Sequence, residues 1–312
     1  MPELPDITIY TEALGRRVAG HQLRSYDLRS PFVVRSVSPP LDALVESRVT
    51  GVSRIGKRIV LEFERGLFLV IHLMVAGRLR WLAQGKKLPG KIALVDFDFG
   101  DGRLVLTEAS KKKRASIHVV NGANGLREFD RGGLDVLTAK PKEFAERLRS
   151  ESHTLKRALT DPHLFDGIGN AYSDEILHRA RLSPLTLTGR LADNAVERLR
   201  AACVTVLTDW TSALRAEVGA GWPEKVTAFR DGFAVHGRYR LPCPDCGAPV
   251  QRIRYAENET NYCANCQTEG RLLADRALSR LLKDDWPRSI DEYDGMVKTR
   301  SEGRATGSGG GG

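Results

Sequence analysis

Nowhere does the chain hold the roughly twenty consecutive apolar residues that a bilayer-spanning helix needs, so no transmembrane segment is expected. Cysteine is scarce, five in 312 residues, and Glu3, Asp6 and Arg16 interrupt the apolar residues at the start. Together these argue against a secretion signal and against a disulfide framework, and the lone Cys203 fits a reducing compartment. A cytoplasmic protein is therefore expected. Internal repeats are missing too, so the length must be filled by distinct cores, for which 41% hydrophobic residues suffice. Acidic residues are outnumbered, 39 against 48 Lys and Arg. The resulting charge of +9 is the electrostatic footprint of a polyanionic partner.

The hydrophobic pattern divides the chain into four regions. Residues 1–130 open with one helical stretch, Asp6 to Ala19, and continue as β-type runs: Arg58–Phe63, Leu67–Leu73, Ile92–Phe99 and Arg103–Thr107. Turn signals such as Phe99-Gly-Asp-Gly separate the runs, so this region reads as an antiparallel sandwich or barrel. Over 140–225 the period turns helical, at Phe144–Leu148, Leu155–Leu159, Tyr172–Ala180 and Ala195–Leu214. Residues 233–270 hold four cysteines, and 271–312 form an extension with one helix, Arg271–Leu282, before a Gly-rich tail expected to be disordered. The fold class is α+β and multidomain.

Cys243, Cys246, Cys263 and Cys266 form two Cys-x-x-Cys knuckles with sixteen residues between them. That spacing lets two turns set four thiolates around one tetrahedral Zn²⁺, and metal binding supplies folding energy that so short a segment cannot draw from a core. One structural zinc is predicted, which leaves function open because such ribbons serve many roles.

Two further segments carry chemistry. If Met1 is removed, Pro2 becomes a free secondary amine able to attack an electrophilic carbon and give an iminium ion directly. Such an amine titrates near neutrality, and Glu3 beside it could move protons. The simpler reading is that Pro2 and Pro5 only pre-set a helix start. In the middle of the chain, Gly167-Ile-Gly169-Asn170 forms a tight turn whose backbone N–H groups and Asn side chain could hold a phosphate, or could merely join two packed helices.

Pro2-Glu3, then Gly167-Ile-Gly-Asn170-Ala-Tyr172, then the four-cysteine ribbon occur in an order that resembles the formamidopyrimidine-DNA glycosylase / endonuclease VIII family. Gly51-Val-Ser-Arg-Ile-Gly-Lys57, His72-Leu-Met-Val-Ala-Gly77, Gly133-Leu-Asp135 and Val235-His-Gly-Arg238 extend the resemblance to about residue 270. It implies an N-terminal helix with a β-sandwich, a helix–two-turn–helix domain and a C-terminal zinc hairpin. It also implies a bifunctional DNA glycosylase and AP lyase of base-excision repair. On duplex DNA with damaged bases or abasic sites, Pro2 would form the Schiff base, Glu3 would transfer protons, and β,δ-elimination would nick the strand. Lys57 would contact the phosphate beside the lesion, Asn170 a phosphate of the flipped nucleotide, and His72 the backbone. Outside the resemblance, Lys57 reads as a solvated lysine and His72 as a packed strand residue. Lys111-Lys-Lys-Arg114 reads as a DNA-facing loop or a solvated one. A monomer is expected, since that mechanism needs one chain.

The chain departs from the family pattern at several points. Ala115 stands where an aromatic wedge follows an Arg, and Val75 stands for a second wedge, with Met74 one position early. Segment 218–233 is short beside the loop that caps 8-oxoguanine in the purine-specific branch, so a preference for 8-oxoguanine is not implied, and oxidised pyrimidines, ring-opened purines and abasic sites stay open beside it. In the ribbon Asn258 replaces an Arg, between Glu257 and Glu259. Arg252 and Arg254, two apart on one strand face, could supply phosphate contacts instead. These departures motivate the alternative of a non-catalytic damaged-DNA-binding protein on the same scaffold. A ribosome- or RNA-associated protein, resting on the helical turn and the ribbon alone, is opposed by Pro2-Glu3.

Overall fold

The structure, a computed structural model, describes residues 1–227, 229–255, 258–273, 289 and 292, with backbone alone for Tyr255 and Asn258. Two compact units are present: Met1–Ala139 with Asp161–Gly169 and Val204–Ala228, and Lys140–Thr160 with Asn170–Cys203 and Phe229–Gly312.

The first unit is a β-sandwich with a helix at its N-terminus. Helix α1, Leu4–Val18, starts two residues before the expected Asp6 because Pro5 is compatible with the first turn and Asp6 caps the backbone of Glu3. One sheet has the order β1-β6-β7-β5, from Ser25–Leu28, Ala93–Asp98, Gly102–Glu108 and Gly77–Ala83. The other has the order β2-β3-β4-β8, from Val49–Ile55, Arg58–Phe63, Leu67–His72 and Ser116–Asn121. Every strand pairing in both is antiparallel. The four apolar runs read from sequence are β3, β4, β6 and β7. The four missed strands are outer ones with polar residues on the exposed face, such as Gly77-Arg-Leu-Arg-Trp-Leu-Ala. Ile7, Tyr10, Leu14 and Val18 of α1 join Ile59, Leu61, Leu69, Ile71, Phe97 and Leu104 in one core. Helix α2, Gly122–Arg127, follows β8.

In the second unit, α3 (Pro141–Arg149), α4 (Leu155–Thr160) and α5 (Asn170–Ala180) stand where the 3.6-residue period places helices. The long α6, Asp193–Val218, begins in this unit, and its residues from Val204 onward count with the first. The ribbon consists of antiparallel β9 (Gln251–Tyr255) and β10 (Asn258–Tyr262), followed by α7 (Ala264–Thr268). Of the helix expected at Arg271–Leu282, residues from 274 onward lie outside the described residues, as does the Gly-rich tail. Arg271 itself makes an isolated bridge to Ser289 rather than opening a helix. Among the described residues no helix is long and apolar enough to cross a membrane.

Leu69 is fully buried on the central strand β4. Leu69→Ala should lower the free energy of unfolding by about 2–5 kcal/mol, through lost transfer energy and the cavity left behind. Leu137→Ala, at a side chain 39% exposed, should change it by less than about 0.5 kcal/mol. Urea denaturation of the two variants measures both.

Candidate active site and nucleic-acid interface

In the first unit the chain start is held rather than frayed. Pro2 and Glu3 are buried. The Glu3 N–H donates to Asp6 Oδ2 at 2.9 Å, and the Leu4 N–H donates to the Gly167 carbonyl at 2.9 Å. The Gly169 N–H donates to Glu3 Oε2 at 2.6 Å. A Cβ on Gly169 would lie 2.5 Å from the Glu3 carboxyl carbon, and one on Gly167 2.8 Å from the Leu4 side chain, where φ is also +77°. Both glycines are therefore required by close approach to the N-terminus. This revises one expectation for the turn: the Gly169 N–H, read as a possible phosphate donor, is taken by Glu3.

Beside the chain start lies a cavity of about 520 Å³, lined by Met1, Lys57, His72, Met74, Asp166 and Gly167 among others. Lys57 sits on the β2–β3 turn after Gly56, whose φ is +60°. The protein atoms around its ammonium push the Lys57 pKa down, and Glu3 and Asp166 only partly oppose this. His72, at the end of β4, is held down to about 4 by burial first and then by the nearby charges of Arg58 and Lys57. The Met1 amine is also depressed below its usual value, burial again being the largest cause, with Arg78 and Lys57 adding to it and Glu3 and Asp6 opposing. The walls thus favour neutral forms of three basic groups.

Arg54 braces this region. It donates to Asp166 through one guanidinium nitrogen and to Asp135 Oδ2 through the other at 2.8 Å. Gly133 lies close by, where a Cβ would meet the Pro162 carbonyl at 2.4 Å. The motif Gly133-Leu-Asp135 thus anchors residues 161–169. Arg114 is exposed on the β7–β8 loop with Lys111, Lys112 and Lys113. The Glu108 carboxylate organises that loop by accepting the N–H groups of Arg114 at 2.8 Å and Ala115 at 3.0 Å. Ala115 is only 2% exposed and packs in the sandwich core. A side chain so buried presents nothing to a partner at this position. Val75, by contrast, is 58% exposed, and Met74 before it takes φ 52°.

The second unit carries the remaining predicted residues. Asn170 opens α5, and its side-chain Nδ2 donates to the Glu259 carbonyl at 2.9 Å. Four residues on, Asp174 is fully buried and accepts from Lys156 Nζ at 2.5 Å, from the His236 ring at 2.7 Å and from the Asn261 N–H at 3.1 Å. Lys156 Nζ also donates to the Asn170 carbonyl at 2.7 Å. Glu175 accepts the consecutive N–H groups of Ala234, Val235 and His236 at 2.7, 3.0 and 2.9 Å. Burial raises its pKa, and those three bonds oppose the shift. Lys156, Asp174, Glu175 and His236 were missed as a group because they are far apart in sequence. Only the adjacent carboxylates on an otherwise apolar helix face could have signalled them.

In the ribbon, Arg252 lies 4.0 Å from the Tyr239 ring centroid and 3.6 Å from Glu259 Oε2, so part of its charge is answered locally. Arg254 is exposed and pairs in register with Glu259, and Arg252 with Asn261. Glu257 and the Asn258 side chain lie outside the described residues. The sulfurs of Cys243, Cys246, Cys263 and Cys266 all fall within 4.8 Å of one another. Cys243 and Cys266 are 3.9 Å apart, and Cys246 and Cys263 3.4 Å. A tetrahedral ion with Zn–S near 2.3 Å needs sulfurs roughly 3.8 Å apart, so the donor set fits one structural zinc.

Three family models match the chain: the formamidopyrimidine-DNA glycosylase N-terminal domain over residues 1–114, the H2TH domain of that glycosylase over 135–218, and a zinc finger found in FPG and IleRS over 240–268. A formamidopyrimidine-DNA glycosylase of Exiguobacterium sibiricum is 32% identical over 282 residues, covering 86% of this chain and 99% of that protein. An uncharacterized formamidopyrimidine-DNA glycosylase-like protein of Mycobacterium tuberculosis is 42% identical over 151 residues, 48% of this chain and 94% of its own length. Among solved structures, a Lactococcus lactis FPG mutant bound to Fapy-dG DNA superposes with a TM-score of 0.75 at 24% identity, covering 86% of this chain and all of the other. The wild-type L. lactis protein bound to DNA containing an oxidized pyrimidine gives the same score at 25% identity, with the same coverage.

His72 should titrate with a midpoint about 4 in the folded protein, against 6.5 in the unfolded chain. Its contribution to stability is then complete above pH 6.5 and is lost as the pH falls toward 4, because the unfolded state takes up the proton first. An NMR titration of the His72 ring gives the midpoint, and His72→Gln should flatten stability in that window. Lys156→Met strips the buried Asp174 carboxylate of its cation and should cost about 3–5 kcal/mol in urea denaturation.

Proposed function

The chain belongs to the formamidopyrimidine-DNA glycosylase family, and on that premise we propose that it is a bifunctional glycosylase and abasic-site lyase whose nucleophile is the Pro2 nitrogen. The observation that carries this reading is the chain terminus itself. Met1 lines a cavity of about 520 Å³ and burial lowers the pKa of its amine, with Pro2 buried next to it. Removal of Met1 turns the Pro2 amide nitrogen into a secondary amine at that place.

The amine attacks C1′ of the damaged nucleotide. The N–C1′ bond forms as the glycosidic bond breaks, and the base departs with the bonding pair and takes a proton. Cleavage of C1′–O4′, with a proton delivered to O4′ and the amine proton lost, gives the iminium ion. Glu3 is the group beside the amine that can carry these protons. The iminium acidifies C2′, so proton removal there expels the 3′ phosphate, and a second elimination expels the 5′ phosphate. Hydrolysis returns the amine.

Lys57 and His72 border the same cavity, where Lys57 is assigned to the phosphate beside the lesion. A phosphate anion would restore the charge that burial discourages. Asn170 is assigned to a phosphate of the flipped nucleotide through the second N–H of an amide whose first goes to Glu259. Arg114, Arg252 and Arg254 supply further cationic contacts to the duplex. The protein works as a monomer, in the cytoplasm, on nucleoid DNA.

Borohydride trapping on abasic-site duplex tests this, once mass spectrometry has shown that Met1 is gone. Processed protein should form a covalent adduct. Blocking Met1 removal leaves the Pro2 nitrogen acylated and should sharply reduce it, and Pro2→Gly should slow it by roughly tenfold or more, because the imine of a primary amine can lose its N–H proton and with it the positive charge that a proline iminium must keep. An adduct that forms at full rate in Pro2→Gly overturns the nucleophile. No adduct from processed wild type overturns the enzyme reading in favour of a non-catalytic damaged-DNA-binding protein.

A further inference from the structure

Four sulfurs satisfy a zinc ion, yet this end of the second unit holds a fifth side chain of ligand type that belongs to neither knuckle. His178, on the last turn of α5, is 4% exposed, and its Nε2 lies 3.3 Å from Cys243 Sγ. Ligand atoms of His178, Asp245 and Cys266 fall within 4.8 Å of one another, so the imidazole sits against the cysteine cluster. A buried imidazole costs stability unless its ring nitrogens find partners, and here the partner is a metal-ligand sulfur. Groups that hydrogen-bond to ligand atoms orient them and tune the metal. Imidazole is also a zinc ligand in its own right, and three cysteines with one histidine is a stable structural set. The four cysteines are unequally protected: Cys243 and Cys263 are buried, Cys266 is intermediate, and Cys246 is exposed.

We infer that His178 is a reserve ligand of the ribbon's zinc. While four thiolates hold the ion, its ring nitrogen hydrogen-bonds to the Cys243 sulfur. When the exposed Cys246 thiolate is lost, Nε2 enters the coordination shell and keeps the metal in place. Because the imidazole is buried on a helix of the same unit and already lies beside a ligand sulfur, little ordering cost opposes the exchange. Asp245 belongs to the same cluster but is exposed, and a hydrated carboxylate competes less well for the vacated position.

Alkylation of the zinc-loaded full chain provides the test. Limiting iodoacetamide should modify Cys246 first, and native mass spectrometry then counts zinc on the singly alkylated protein, with peptide mapping to place the label. Alkylated wild type should keep one zinc, and alkylated His178→Leu should lose it to a chelator at least about tenfold faster. Unalkylated His178→Leu should keep its zinc within about threefold of wild type, which shows that the ribbon is still folded. Equal retention, or equal loss, in the two alkylated proteins overturns the inference. A second arm leaves His178 untouched: Co²⁺ bound to Cys246→Ala should give the spectrum of three sulfurs and one nitrogen. A spectrum of three sulfurs and one oxygen overturns it.

Discussion

Everything proposed for the first unit depends on the contact between a glycine turn and the first residues of the chain. A terminus is the part of a protein that normally frays, and an amine on a frayed end has no fixed direction of attack. Here Gly167 and Gly169 let two backbone segments touch without intervening Cβ atoms, and the Gly169 N–H fixes the Glu3 carboxylate. Asp6 then satisfies the backbone of Glu3, and α1 drives Ile7, Tyr10 and Leu14 into the sandwich core. Order spreads from that contact inward, and the terminal amine inherits it.

The cavity's electrostatics follow from the same packing. Lys57, His72 and the terminal amine are each discouraged from ionising by the atoms around them, while Glu3 and Asp166 oppose the effect at Lys57 without cancelling it. An anionic ligand would favour the charged forms that burial opposes there.

The second unit is organised by two neighbouring carboxylates with different work. Asp174 gathers a lysine, a histidine and a β10 backbone N–H, while Glu175 takes three consecutive N–H groups of 234–236. Buried charges of this kind persist only when nearly every lone pair is satisfied. The arrangement therefore fixes how the ribbon's entry strap, β10 and α5 lie within this unit. His178 extends the same helix toward the metal.

The sequence by itself determined the zinc ligands, because Cys-x-x-Cys spacing is a local geometric requirement, and the helices, because burial of one face imposes a 3.6-residue period. It determined the family too, through short motifs whose order could be read without coordinates. It missed β1, β2, β5 and β8, whose polar outer faces hide the alternation, and it did not show that Ala115 is a core residue. Only the tertiary structure decided that the Gly169 N–H serves Glu3, that Arg54 joins Asp135 to Asp166, and that His178 meets Cys243. Each of these contacts joins residues 65 to 166 positions apart. Partners so distant are chosen by packing, which no local pattern encodes.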